Sequence, residues 1–387
     1  MSGREIAVLT VGRSDFTRYR PVLRALREAP DVTLRLLVSG NHFSPTFGET
    51  WRDIAASGFS FEAGLEMTLA GDTEAAVGKS ISLGTAALAQ AFAARRPDLL
   101  VILGDRYEML CGPLAALGFM IPVAHLHGGA VTEGAIDEQV RHALTKMSHL
   151  HLTAIDSYAA RIRQMGEEAW RVHVVGVPAL DDILEAATLT REEASAAVGL
   201  DLAQPTLLVS FHPTTLEVDR IEEQTGDLIA ALQACGLQAV ITYPNADRGH
   251  AVIVAAIEAL AAGDGRFRLV RNAGNALYGS LMRYCRAIVG NSSSGLVEAG
   301  SFRLPAVNIG RRQEGKLKPP HVIDCSHHVE AIEAALARAL SDRFRAGIAS
   351  MCNPYGDGTA GPRAARVLIE TPLDHRLLVK KFVDYLP

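Results

Sequence analysis

Two doubly wound α/β domains are predicted by three features of the sequence. Short apolar runs alternate with helix-length amphipathic segments in both halves, the runs are apolar on both faces, and the alternation pauses once near the middle. Strands without a polar face need helices on both sides, which is the parallel-sheet arrangement. In the first half EIAVLTV, VTLRLLVS, DLLVILG, IPVAHLH and LHLTAI read as strands; in the second half TLLVSFH, LQAVITY, FRLVRN, AIVGN and PAVNIG do so. Residues 74–95 and 219–235 carry helical spacing of apolar side chains. An Ala/Glu-rich stretch at 184–202 lacks strand signals, so the domains are expected at 1–183 and 190–370, facing each other across a cleft. Residues 371–387 read as a helix that packs back across the first domain.

The bulk properties exclude several classes. The chain has 387 residues, 48% apolar and 21% charged, with a net charge of −5. That is ordinary globular composition without the basic surplus of a nucleic-acid binder. No apolar run reaches the length of a membrane span, and MSGREIAVLTVG lacks the pattern of a signal peptide. Five scattered cysteines without a C-x-x-C suggest neither disulfides nor a zinc ribbon. A reducing cytoplasm is the expected compartment. There is no internal repeat and no low-complexity tract.

Ligands of open parallel sheets bind beyond the carboxyl ends of the strands, so the residues following each strand come first. After the first strand, Gly12 allows a turn and Arg13 can pair with a phosphate; alone, Arg13 reads as a surface arginine. After DLLVIL, Asp105 is either a helix N-cap or a carboxylate in the cleft. His125 and His127 lie two apart and are expected to share a strand face. Their H-x-H spacing suggests a metal, yet no third ligand follows at a known spacing, so no metal is assigned. Gly128 and Gly129 permit a sharp turn, and a helix begins near Asp137 and Glu138. Asp137 and Arg141 are four apart, which by itself describes a solvated ion pair.

In the second half His212 follows a strand directly, a position for acid–base work, a phosphate contact or a cap. Asn245 and Asp247 are turn formers by default, or line the nucleotide side of the cleft. The strongest signal is AIVGNSSSGLVEAGSF, where Ser292, Ser293, Ser294 and Gly295 run from a strand into a helix. Small residues there expose backbone N–H groups that can hold a diphosphate, and Glu298 one turn on can accept from ribose hydroxyls. In IGRRQEGKLKPPH, Arg311, Arg312, Lys316 and Lys318 read as a solvated basic loop or as phosphate and base contacts.

Taken in order, GRSDF, GDRYEM, AHLHGG, IDEQVRHALTKMS, SFHPTT, NADRG, GNSSSGLVEAGSF and NIGRRQEG span most of the chain. Together they resemble the UDP-N-acetylglucosamine 2-epimerase family, in its hydrolysing branch of sialic and legionaminic acid pathways. The resemblance implies a GT-B-like pair of Rossmann-type domains, a homodimer, and no cofactor. It implies a UDP-linked 2-acetamido sugar as substrate, loss of UDP to give a glycal, and hydration to UDP and a 2-epimeric sugar such as N-acetylmannosamine. It places Asp105 and Asp137 as proton-handling carboxylates and His212 at the departing UDP. Arg13, Ser293, Ser294 and Gly295 are placed at the diphosphate, with Ser292, Asn245, Asp247 and Arg312 on the same nucleotide side, Glu298 at the ribose, and His127 and Arg141 at the sugar.

One position departs from the pattern. After H-x-H-G-G the branch carries a glutamate where this chain has Ala130, and alanine neither accepts nor delivers a proton. Either Glu133 takes over, or activity is lost or changed, or the glutamate has been replaced deliberately. The expectation adopted is slower turnover than that of the Ala130→Glu counterpart. A diacetamido-trideoxy sugar linked to UDP or GDP is the alternative substrate. A glycosyltransferase, a non-hydrolysing epimerase and a sugar-nucleotide-binding module are the competing functions.

Overall fold

The computed structural model describes residues 3–45, 48–69, 73–132, 136–245 and 247–384. The chain divides into two compact units: residues 1–181 with 358–387, and residues 182–357.

The first unit is built on a seven-stranded parallel sheet of β1 (Arg4–Thr10), β2 (Val32–Ser39), β3 (Glu62–Leu65), β4 (Leu99–Leu103), β5 (Val123–Leu126), β6 (Leu150–Thr153) and β7 (Val172–Val174), in the order β3-β2-β1-β4-β5-β6-β7. Ile6 through Leu9 on β1 and Leu99 through Leu103 on β4 are buried throughout, as central strands covered on both faces must be. Helices Arg13–Glu28 and Glu74–Ala94 are among the covering elements.

The chain returns to this unit at residue 358. Asp181 accepts the N–H groups of Ala360 and Gly361 at 3.0 and 2.6 Å, and so starts helix Ala360–Glu370. That helix packs on Arg13–Glu28 so closely that a Cβ at Gly361 would lie 2.6 Å from the Pro21 Cβ. The return therefore falls before residue 371, and the helix expected over 371–387 is corrected. Among the described residues there, only His375–Leu378 is helical. Its C-terminal end is capped by the buried Arg171 guanidinium, which donates to the carbonyls of Arg376, Leu377 and Val379.

The second unit carries a six-stranded parallel sheet of β8 (Thr206–Ser210), β9 (Gln238–Thr242), β10 (Phe267–Val270), β11 (Ala287–Gly290), β12 (Ala306–Ile309) and β13 (Val322–Cys325), in the order β10-β9-β8-β11-β12-β13. Numbered within each unit, both sheets follow the order 3-2-1-4-5-6, which the first extends by a seventh strand. The chain reverses direction beside the first strand, leaving a crevice at β1/β4 and at β8/β11. Residues 184–202, expected as the junction, hold the end of helix Ala179–Ala186 and helix Arg191–Val198, the latter started by a Thr190–Glu193 capping box. No helix among the described residues is long and apolar enough to cross a membrane.

Candidate active site

In the first unit the candidate residues gather where β1, β4 and β5 end. Gly104 takes φ +77° directly after β4, and the turn brings Asp105 to the Arg141 guanidinium. Asp105 is thus not an N-cap: Arg106 holds that position for the short helix Tyr107–Leu110, without a side-chain cap bond. Arg141 is 2% exposed and sits on helix Ile136–Met147. Besides Asp105 it donates to Glu138 Oε2 at 2.7 Å, Thr132 Oγ1 at 2.7 Å and the Ala130 carbonyl at 3.2 Å. Its bonded acids are Asp105 and Glu138, so the solvated Asp137–Arg141 pair of the sequence reading is corrected. Both terminal amino groups of the guanidinium are engaged, and it serves as a hub for the loop that carries Ala130.

Asp137 lies half-buried in the first turn of the same helix. Burial first, and then the Asp105 carboxylate, raise its pKa above the usual aspartate range. Glu133 lies outside the described residues.

The two histidines of H-x-H separate. His125 is buried on β5 with Nε2 2.8 Å from the Gly104 carbonyl and Nδ1 3.2 Å from Thr145 Oγ1. Facing a carbonyl, Nε2 must donate, so both ring nitrogens are engaged in structure. His127 has left the strand with φ +62°, and its Nε2 is buried without a partner in the first unit's described residues. Burial, reinforced by Arg18, pushes His127 down to about 3. The shared strand face is corrected, since β5 ends at Leu126. Among the described residues no group of three potential metal ligands occurs.

At the neighbouring β1 terminus Arg13 is exposed. The sequence reading gave no role to Asp15 or Arg106, which stand beside it. Asp15 is 2% exposed and is pushed up to about 6 by burial, against the pull of Arg106. Arg106 pairs with the buried Glu108 at 2.6 Å. Both Asp15 and Arg106 lie inside quoted motifs, GRSDF and GDRYEM, but a burial that turns helix acids inward leaves no mark in one sequence.

In the second unit a cavity of about 410 Å³ opens at the ends of β8, β9 and β11. His212, Asn245, Ser292, Ser293, Ser294 and Arg312 line it, so these six candidates share one cavity. Gly290 makes the crevice possible: at φ +136° a Cβ there would stand 2.0 Å from the Ser210 carbonyl oxygen. The helix expected after β11 is corrected to two short 3₁₀ turns, Ser293–Gly295 and Ala299–Phe302. A long-helix dipole is therefore missing, and any anion contact there comes from individual N–H groups. Ser292 caps the first turn by accepting from the Ser294 N–H at 3.3 Å. His321 lies 2.9 Å from the Gly295 carbonyl and braces the turn from beneath.

His212 has a defined tautomer. Its Nδ1 accepts the Asn245 N–H at 3.1 Å, so the proton resides on Nε2, which lies 3.4 Å from Ser210 Oγ. Burial, then the Arg312 charge, pushes it down to about 4. At neutral pH it is an uncharged donor. Arg312 donates to the Asn291 carbonyl at 3.2 Å. Asp247 is exposed and acts on Arg312 and His212 through its charge. Of the other basic-loop residues, Arg311 pairs with Glu314 and Lys318 with Asp324, and Lys316 donates to Gln313. Glu298 begins the second turn as its N-cap residue. Tyr278, given no role from sequence, lines the cavity from helix Gly274–Tyr284 together with Ser294 and Ser210, and burial pushes its phenol up to about 12.

The family pattern described as UDP-N-acetylglucosamine 2-epimerase matches residues 24–369. The chain belongs to this family. Within it, the chain is 33% identical over 377 residues to the UDP-N,N'-diacetylbacillosamine 2-epimerase (hydrolyzing) of Legionella pneumophila, covering 97% of this chain and 98% of that protein. It is also 33% identical over 347 residues to the GDP/UDP-N,N'-diacetylbacillosamine 2-epimerase (hydrolyzing) of Campylobacter jejuni, covering 89% and 90%. The fold is that of the Neisseria meningitidis UDP-GlcNAc 2-epimerase bound to UDP-GlcNAc, with a TM-score of 0.77 at 16% identity over 95% of this chain and all of that one. The family assignment agrees with the resemblance carried by the motifs, and the chain is a sugar-nucleotide 2-epimerase family member with the expected GT-B-like pair of parallel sheets.

Proposed function

We propose that the chain hydrolyses a UDP-linked diacetamido-trideoxy sugar and inverts its carbon 2, releasing UDP and the free 2-epimeric sugar for nonulosonic acid synthesis. The observation that carries this reading is 33% identity over 97% of the chain to a relative named for that hydrolysing reaction. The C1–O bond to UDP breaks and the carbon-2 proton leaves, giving a glycal. Water then supplies a hydroxyl to carbon 1 and a proton to the opposite face of carbon 2. Acids and bases are needed on both faces, with charge stabilisation at the leaving diphosphate.

In this reading the second unit holds the nucleotide. Ser292, Ser293, Ser294 and Gly295 offer backbone N–H groups to the diphosphate, and Arg312 adds its charge. His212 donates from Nε2 to a departing phosphate oxygen, which its tautomer supports. Asn245, Asp247 and Glu298 serve the nucleoside side, and Arg13 is assigned to a phosphate. The sugar's protons fall to Asp105 and Asp137. Asp137, with the raised proton affinity, carries the proton returned to carbon 2; Asp105, matched by Arg141, acts as the charged partner. His127 lies beside the sugar, Glu133 is the further carboxylate of the loop, and Ala130 lowers the rate.

The test is incubation with UDP-diacetylbacillosamine, its GDP counterpart and UDP-N-acetylglucosamine in deuterated water. The expected result is deuterium at carbon 2 of a free sugar and the highest kcat/KM for the UDP-linked diacetamido compound. A retained nucleotide on the epimerised product, or turnover only with an added acceptor, would overturn the hydrolysing reaction. A preference for UDP-N-acetylglucosamine would overturn the substrate.

A further inference from the structure

The opposite end of the second unit's sheet holds a cavity that the reaction above does not use. It measures about 240 Å³, and four of the residues lining it are Arg191, Arg283, Arg286 and Arg345. Gln204 and Arg286, also in its wall, precede β8 and β11, whereas His212 and Ser292 follow those same strands. Roughly 16 Å of strand thus separates it from the nucleotide cavity.

The four arginines come from three helices and a loop. Arg191 opens helix Arg191–Val198, Arg283 lies in the last turn of Gly274–Tyr284, and Arg345 is on Asp342–Ile348. Their frame is fixed. Arg345 donates to the Arg286 carbonyl at 3.0 Å, the Arg191 guanidinium stands 5.4 Å over the Tyr284 ring, and the Tyr284 hydroxyl donates to the Leu189 carbonyl at 3.0 Å.

Counter-charge is missing. Among the described residues none of the four is ion-paired with a carboxylate. Asp201, close by in sequence to the wall, spends Oδ1 on the Ala203 N–H at 2.9 Å. Asp342 is a more distant charge for Arg345, whose pKa is lowered by burial and by the like charge of Arg286. In a chain of net charge −5, four unpaired guanidinium groups around one polar hollow is an uncompensated arrangement. Guanidinium forks match the oxygens of phosphate in geometry as well as charge.

We propose that Arg191, Arg283, Arg286 and Arg345 form a second anion site, at the amino-terminal edge of the second sheet, that takes a small phosphate-bearing anion the size of pyrophosphate or a sugar phosphate. The site is separate from the nucleotide cavity and stands whether or not the proposed reaction does.

Titration calorimetry with inorganic pyrophosphate, run with and without excess UDP, tests it. With excess UDP filling the nucleotide cavity, one equivalent is expected to bind saturably; without UDP that same equivalent binds, beside any taken by the nucleotide cavity. The Arg283→Gln/Arg286→Gln double variant removes two exposed guanidinium groups that make no side-chain bond in the fold. It is expected to weaken pyrophosphate by roughly tenfold or more, with UDP affinity and melting temperature unchanged. The proposal is overturned if pyrophosphate does not saturate at millimolar concentration, if UDP displaces it completely, or if the double variant binds it like the parent.

Discussion

Asn291 and His212 exchange two hydrogen bonds: the His212 N–H donates to Asn291 Oδ1 at 2.8 Å, and Asn291 Nδ2 donates to the His212 carbonyl at 2.8 Å. Both residues are buried, 1% and 8% exposed, and they follow neighbouring strands β11 and β8. The pair clamps the crevice open and fixes the imidazole. Asn291→Ala leaves two backbone groups of His212 unsatisfied, at a cost of about 2–4 kcal/mol. Urea unfolding should show that loss, and calorimetry should show weakened UDP binding.

Gly290 tolerates no side chain. Its φ of +136° and the 2.0 Å approach of the Ser210 carbonyl oxygen predict that Gly290→Ala costs about 3 kcal/mol or more. The melting temperature of the purified variant reads this directly, and an unchanged value would mean that β8 and β11 are set differently.

Arg141→Gln removes a buried guanidinium from Asp105, Glu138, Thr132 and the Ala130 carbonyl. Breaking such a hub is expected to cost about 3 kcal/mol and to lower kcat by roughly a hundredfold through misplacement of Asp105. A variant with parental kcat would remove Asp105 from the reaction scheme.

Ala130 occupies a loop position whose backbone is already anchored to that hub. Ala130→Glu is therefore expected to place a carboxylate beside Asp105 without disturbing the fold, and to speed UDP release from substrate by roughly tenfold or more. Equal initial rates for parent and variant would show that the proton chemistry does not depend on this position.

Buried neutral histidines make the protein acid-sensitive. His42, His125, His149, His212 and His321 are each pushed down to about 4, and His127 to about 3, with burial the largest cause in every case. Unfolding returns them to about 6.5, so the unfolded chain binds more protons between pH 6.5 and 4. Stability present above pH 6.5 is therefore lost as pH falls through that window. Asp15, raised to about 6, acts in the opposite sense between its unfolded value near 3.8 and pH 6, but it is one group against six. At pH 5, unfolding should take up roughly four protons from these groups, measurable from the pH dependence of the unfolding free energy.

The ten strands read from the sequence are all present, and among the described residues three more occur, β3, β7 and β13. Each lies at an outer edge of its sheet, where one side lacks a neighbouring strand. Val172–Val174 runs from buried to exposed, and Val322–Cys325 has a single buried residue. Continuous apolarity marks central strands and fades at edges. The candidate residues were legible for a related reason: strand ends are easy to locate, and ligands of parallel sheets gather there. Hidden were groups whose role depends on distant neighbours. Tyr278 reads as one more residue of an amphipathic helix, and Asp15 as an ordinary first-turn acid. Arg141 lay in view, but acceptors on its own helix, on the preceding loop and on the turn after β4 decide what it does.

The Asp181 carboxylate receives the N–H groups of Ala360 and Gly361, nearly 180 positions later, and Arg4 donates to the Leu368 carbonyl at 2.6 Å. A ribosome making this protein thus releases the β1 strand long before the helix that covers it. Until helix Ala360–Glu370 emerges, Pro21 and its neighbours stay bare to solvent. Chains stalled or clipped short of residue 358 should be aggregation-prone and dependent on chaperones, even though every predicted catalytic side chain has already been synthesised.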